Sequence, residues 1–319
     1  MILTPQVLTI LILNAIFLFF GLVAFVLSIR IFLRWNIDST SAEQYSLEKQ
    51  SYLSATIIKY IFAIKLPLFL FFVFTLDKIS TLLTGAMCGA GVVDATDYGA
   101  YLLMLKLLNL YLFGFWLTIH YLDIKSPDLP YTRVKFEFFI VAFLFLLVEI
   151  VLEGVMFGSI DIDKMVSCCG TLYSSSSNSA MAGIFSIDRE VLLTLFYGNF
   201  VLMALFYWMR WGYLYAVANL SFVIVALMSL IEFFGTYIYE LPTHHCPFCF
   251  LQSDYYYVGY LLYSLLFLGS FYGMRVGVVK MLDQEGGREF KLSILFNLLY
   301  VVLVSSYVLI YFLKNGVWL

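Results

Sequence analysis

The chain has 319 residues, 63% of them hydrophobic and only 12% charged, with a net charge of −3. A soluble domain carries about 25% charged residues, so this chain lacks the polar surface that water demands. With no basic run it also offers no footprint for a nucleic acid.

The apolar residues fall into separate blocks, each about as long as the ~20 helical residues that cross a hydrocarbon core. Strand-like alternation of the membrane-barrel kind is absent. Backbone groups inside lipid must bond within their own segment, so continuous apolar blocks predict helices. In chain order the expected spans lie near 7–30, 53–76, 99–121, 136–157, 190–209, 212–238, 250–274 and 292–313. The expected fold is all-α, a polytopic membrane helix bundle forming one transmembrane domain over residues 1–319. The first block lacks the charged start and small-residue cleavage site of a signal peptide and is too long for one, so it reads as a retained span. The longest connection, Gly158 to Glu190, contains the run Ser174, Ser175, Ser176 and Ser177 and reads as a loop.

Orientation follows from the basic residues. Eleven of the eighteen Lys and Arg fall in one set of loops, and four in the other set together with the termini. The positive-inside rule then places both termini outside the cytoplasm. The Asn-x-Ser/Thr site at Asn219 lies inside a span, so the outer loops offer no glycosylation acceptor, which points to a plasma (inner) membrane. All five cysteines share the extracytoplasmic side: Cys88 after span two, Cys168 and Cys169 after span four, Cys246 and Cys249 after span six. None lies within a span.

The sharpest motif is His244-His245-Cys246-Pro247-Phe248-Cys249. Proline suits the first position of a helix, where its missing N–H costs nothing. If Pro247 starts span seven, Cys246 is its N-cap, and the helix dipole together with a neighbouring imidazolium lowers the thiol pKa and makes a reactive thiolate. Other chemistries fit the same residues. A structural disulfide is ordinary in an oxidising compartment. His244, His245, Cys246 and Cys249 are also a plausible zinc or copper ligand set, although three adjacent residues can hardly all meet one tetrahedral ion. Cys168 and Cys169 are neighbours and poorly placed to bond each other. A bond from Cys88 to one of them, or exchange with the CPFC pair, remains open, and with five cysteines at least one stays outside any intramolecular pair.

The CPFC sequence, with an outer-loop cysteine pair before it, resembles the logic of the DsbB and vitamin K epoxide reductase families. The resemblance covers Cys246 to Cys249 and loosely the Cys168 region, and it does not extend to the span count. It implies electron transfer between outer-face thiols and a quinone. The leading expectation is therefore a membrane thiol-disulfide oxidoreductase with Cys246 as attacking thiolate, Cys249 as resolving thiol, His244 and His245 tuning them, and a thioredoxin-like partner. The alternatives are a non-catalytic integral subunit of a larger membrane complex and a copper- or zinc-handling membrane protein.

Within the spans, Lys106, Glu149, Glu153 and Glu232 all lie toward the cysteine side. Ionisable groups in lipid are costly and are either functional or paired. Glu149 and Glu153 stand one helical turn apart and share a face. These four residues could relay protons or bind a cation, or Lys106 could pair with one of the two glutamates and pin two helices together. Lys65, two residues before Pro67, has no evident role.

Overall fold

The computed structural model describes residues 4–36, 39, 41–126, 128–161, 165–166, 188–284 and 286–319. The described residues contain helices and turns and no strand. Cys168, Cys169 and the serine run lie outside the described residues.

Eight of the helices are long and apolar enough to cross a membrane, which marks a multi-pass membrane protein. They are α1 (Pro5–Arg34), α2 (Ala42–Ser80), α4 (Gly99–Lys125), α5 (Thr132–Ser159), α6 (Arg189–Met209), α7 (Gly212–Tyr239), α8 (Val258–Met281) and α9 (Gly287–Asn315), with a short α3 at Gly89–Asp94. Their ends are set by local chemistry. Ser41 caps α2 by accepting from the Gln44 N–H at 3.2 Å. Pro5 opens α1, where no N–H is needed. Arg210 takes a left-handed φ of 57° and ends α6, so that α7 begins within two residues. Inside α7 the backbone widens to a π turn at Leu230–Phe234.

Span seven differs from the expectation. It begins at Val258 and not near residue 250. Before it run two 3₁₀ turns, Cys249–Leu251 and Ser253–Tyr255. Tyr256 and Tyr257 then both take left-handed backbone, φ 54° and 55°. Side-chain-bearing residues cannot continue a right-handed helix through that conformation, so the chain reverses there and the helix starts afresh.

The chain divides into two compact units. The first comprises Met1–Leu82 and Val92–Lys164, with α1, α2, α4 and α5 packed in a ring in which each helix touches the next and α5 returns to α1. Its core is aromatic: Phe62 stacks on Phe113 at 4.3 Å, and Trp116 and Phe139 pack around them. At the α4–α5 turn the buried Asp123 accepts from the Tyr131 N–H and the Thr132 hydroxyl and pairs with Lys135. The second unit comprises Leu83–Gly91 and Met165–Leu319, and its helices α6, α7, α8 and α9 form a ring in the same sequential order. Here much of the polar glue is uncharged, beside an Arg275–Glu289 ion pair at 3.5 Å that joins α8 to α9. Asn297 donates to the Asn219 Oδ1 at 2.9 Å, Tyr215 donates to Ser293 at 2.9 Å, and Ser293 donates to the Gly269 carbonyl at 2.7 Å. Interhelical bonds of this kind are what holds helices together where lipid removes the hydrophobic drive between them.

The interior of the first unit holds a closed ring of charged and amide groups. Lys65 Nζ donates to Asn14 Oδ1 (2.8 Å) and Glu149 Oε1 (3.0 Å). Lys106 Nζ lies 2.9 Å from Glu149 Oε1 and 2.9 Å from Glu153 Oε1. Asn14 closes the ring by donating to Glu153 Oε2 at 2.7 Å, and Asn109 donates to Glu149 Oε2 at 2.6 Å. The six side chains come from α1, α2, α4 and α5, so one network ties all four helices together. Lys65 belongs to it as fully as Lys106. Glu232 does not: it lies in the second unit, its Oε2 3.9 Å from His245 Nδ1.

Candidate metal centre

Two short segments of the second unit build the site. The first is Leu83–Gly91. Gly85 takes φ +92°, and a Cβ there would stand 2.6 Å from the Val166 carbonyl oxygen. The Val166 N–H in turn donates to the Thr84 carbonyl at 3.0 Å. Only glycine meets both the left-handed turn and the close approach. The Gly85→Ala substitution is expected to cost about 1–2 kcal/mol from backbone strain alone, and more from the contact. Faster alkylation of Cys88 in the variant, measured by mass spectrometry, checks this; an unchanged rate counts against a role for the turn in placing the thiol.

The second segment runs from Leu241 to Gln252. Pro247 and Phe248 turn the chain so that the Phe248 N–H donates to Cys246 Sγ at 3.4 Å. The Leu251 N–H then bonds the Phe248 carbonyl at 2.9 Å, and the Gln252 N–H the Cys249 carbonyl at 3.1 Å. The loop is held from the sides. Tyr239 donates its hydroxyl to the Cys246 carbonyl, Tyr263 donates to the Pro247 carbonyl, and Gln252 Nε2 reaches the Met87 carbonyl at 2.9 Å. Phe250 is fully buried and stacks on Tyr239, with ring centroids 4.7 Å apart and planes 4° from parallel. A Cβ on Gly259 would stand 2.9 Å from the Leu251 side chain and 3.0 Å from the Phe250 carbonyl carbon and Cβ, so a larger residue there would press on the loop backbone.

These supports bring three sulphur atoms together. Cys88 Sγ lies 3.5 Å from Cys246 Sγ, and the thiols of Cys88, Cys246 and Cys249 all lie within 4.8 Å of one another. No disulfide joins them. Cys88 and Cys246 have no exposed surface, and Cys249 is 6% exposed. Thiolates sharing one zinc ion at ~2.3 Å sit roughly 3.8 Å apart, so the triangle has the dimensions of a metal-thiolate site. The N–H that points at Cys246 Sγ stabilises the charged sulphur and orients it, as outer hydrogen bonds do for metal ligands.

The two histidines diverge. His245 Nδ1 lies 3.1 Å from the Ile231 carbonyl and faces the Glu232 carboxylate. His244 packs edge-on against Tyr239 with ring centroids 4.4 Å apart, and its Nε2 is buried with no hydrogen-bond partner among the described residues. Burial lowers the His244 pKa below the usual histidine value against an opposing pull from Cys88, so the ring is neutral near pH 7. Burial also raises the Tyr255 pKa, with Cys249 the next cause, so its phenol stays protonated.

The helix-start expectation for Cys246 is corrected here. Cys246 lies in irregular chain, twelve residues before α8 starts at Val258. The helix-dipole argument for a reactive thiolate therefore does not apply. Of the residues singled out by sequence, Cys246, Cys249 and Cys88 are brought together with His244 on the same loop, His245 turns to Glu232, and Lys106, Glu149 and Glu153 belong to the first unit. Sequence reasoning named Cys88 as a redox or structural cysteine but left its distance from Cys246 unfixed. It missed the supporting roles of Tyr239, Tyr263 and Gln252, and the membership of Asn14, Lys65 and Asn109 in the buried ring. No spacing links residue 88 to residue 246. Comparison with protein-family models, curated proteins and solved structures finds no match to the chain, so the site is read from its own geometry.

Proposed function

We propose that this is a metal-binding integral membrane protein that holds a thiophilic ion on Cys88, Cys246 and Cys249. The observation that carries the reading is the buried triangle of three sulphurs within 4.8 Å, one of them receiving a backbone N–H. Soft thiolates select zinc or copper(I) over magnesium, calcium or manganese. Burial favours this reading over exchange with a soluble protein, since an attacking thiolate must be reachable by its partner. Under the orientation that the basic residues favour, the site faces the extracytoplasmic side.

The test is elemental analysis of the full chain purified in mild detergent. A stoichiometric zinc or copper ion is expected, and it is expected to be lost in Cys88→Ser and Cys246→Ser variants. Metal-free protein with alkylatable thiols, after exposure to both ions, would sink the reading.

One observation favours a second reading, the thiol-disulfide oxidoreductase. Cys88 and Cys246 are 3.5 Å apart, within a small movement of bonding. Forming that disulfide releases two protons and two electrons, the electrons passing to an acceptor such as a quinone. A midpoint potential in the exchange range of roughly −120 to −270 mV would favour this reading.

A further inference from the structure

We propose that His244 is the fourth ligand of this centre, which makes it a closed Cys3His site of the zinc class. The inference rests on the metal-thiolate reading above and adds the coordination number, the last ligand and the identity of the ion.

Four observations converge on His244. It precedes Cys246 by two residues on the loop that carries two of the three sulphurs. Its Nε2 is buried and has no hydrogen-bond partner among the described residues. A buried polar atom left unpaired is costly, and a bond to a metal removes that cost. His245, by contrast, is turned to the Ile231 carbonyl and Glu232. Finally, Tyr239 packs on the His244 ring and also donates to the Cys246 carbonyl, so one side chain positions both prospective ligands.

His244 is not within 4.8 Å of all three sulphurs. Its ring therefore has to turn about its own side-chain bonds to complete the tetrahedron. His244 is half-buried, and so it is not locked in the core.

The choice of ion follows from the count. Zinc has no geometric preference from its d electrons, and in structural sites it takes four ligands, Cys3His among them. Copper(I) suits an all-thiolate set and would leave the His244 nitrogen unpaired. With four protein ligands no position stays open for a substrate or water, so the ion acts as a structural clamp. It would join the Leu83–Gly91 segment to the Leu241–Gln252 loop, reinforcing the bond between Gln252 and the Met87 carbonyl.

The test uses the full chain in detergent, stripped of metal and titrated with Co²⁺ as a spectroscopic probe and then with competing Zn²⁺. Wild type is expected to show the intense ligand-field bands of four-coordinate, thiolate-rich Co²⁺, bleached by Zn²⁺. Loss of even an outer-sphere partner costs about 10–100-fold in metal affinity, so His244→Ala should lose at least that much and change the band shape. His244→Cys should restore tight binding, with bands moved toward those of a four-sulphur site. His245→Ala should match wild type in both. A His244→Ala protein with wild-type bands and affinity overturns the inference while leaving the three-thiolate reading standing. Binding of Cu⁺ alone, indifferent to His244→Ala, likewise overturns it and identifies a copper site. Failure of wild type to bind Co²⁺, Zn²⁺ or Cu⁺ overturns the underlying metal reading as well.

Discussion

Replacing Lys106 by methionine is expected to destabilise the first unit by about 3–5 kcal/mol, the usual cost of leaving one partner of a buried ion pair uncompensated. Lys106 is buried and lies 2.9 Å from both Glu149 and Glu153. Methionine keeps most of the volume and removes the charge. Glu149 would still have Lys65 and Asn109, but Glu153 would keep only the Asn14 amide. A charge stranded in the centre of a helix ring inside lipid has no water to turn to. The measurement is equilibrium unfolding in mixed micelles, followed by a probe placed in the first unit. Pairing the change with Glu153→Gln restores neutrality and should recover much of the loss. If the single variant is as stable as wild type, the ring does not hold the unit together. If the double variant is no better than the single one, charge balance is not the reason.

Chelation is expected to have the second large effect. Ligand that binds only the folded form stabilises it by about 4 kcal/mol when present at a thousandfold its dissociation constant, and structural thiolate sites bind zinc tightly at neutral pH. Stripping the ion should therefore loosen Leu83–Gly91 and Leu241–Gln252 and leave α1, α2, α4 and α5 unchanged. Hydrogen exchange resolved by peptide checks this directly. Protection in those two segments should fall on chelation, return with Zn²⁺, and be insensitive to both in Cys88→Ser. Unaltered protection after complete metal removal would exclude a clamp. Acid should act in the same direction, because bound thiolates and imidazole must take up protons to release the ion.

Neither effect could be placed from spacing. Lys106, Glu149 and Glu153 stand out as costly charges in apolar blocks, and the one-turn separation of the glutamates shows that they share a face. Lys65 carries the same cost but offers no pattern, because its partners are Asn14 and Glu149, 51 and 84 residues away. Asn14 and Asn109 are single amides in greasy helices, and only their neighbours make them part of a ring. Glu232 shows the opposite failure. Its depth suggested membership of the acidic group, yet it belongs to another unit and faces His245.

The class of the molecule and the rough position of its spans are legible in the residues alone. Both follow from local physics: backbone groups in lipid must bond within their own segment, so hydropathy alone specifies helices and their lengths. The gathering of cysteines into three loops was equally legible. Packing between segments sets how the first and third of these loops meet. Cys88 and Cys246 are 158 residues apart and become neighbours at 3.5 Å because Gly85 lets the first loop approach Val166 while Tyr239, Tyr263 and Gln252 hold the second. It also determines that Cys246 caps no helix. The left-handed pair Tyr256–Tyr257, which an aromatic composition does not announce, delays α8 to Val258 and leaves CPFC in a turn. Long-range contact and backbone handedness are set by packing between segments, and packing is the information that a reading along the chain does not contain.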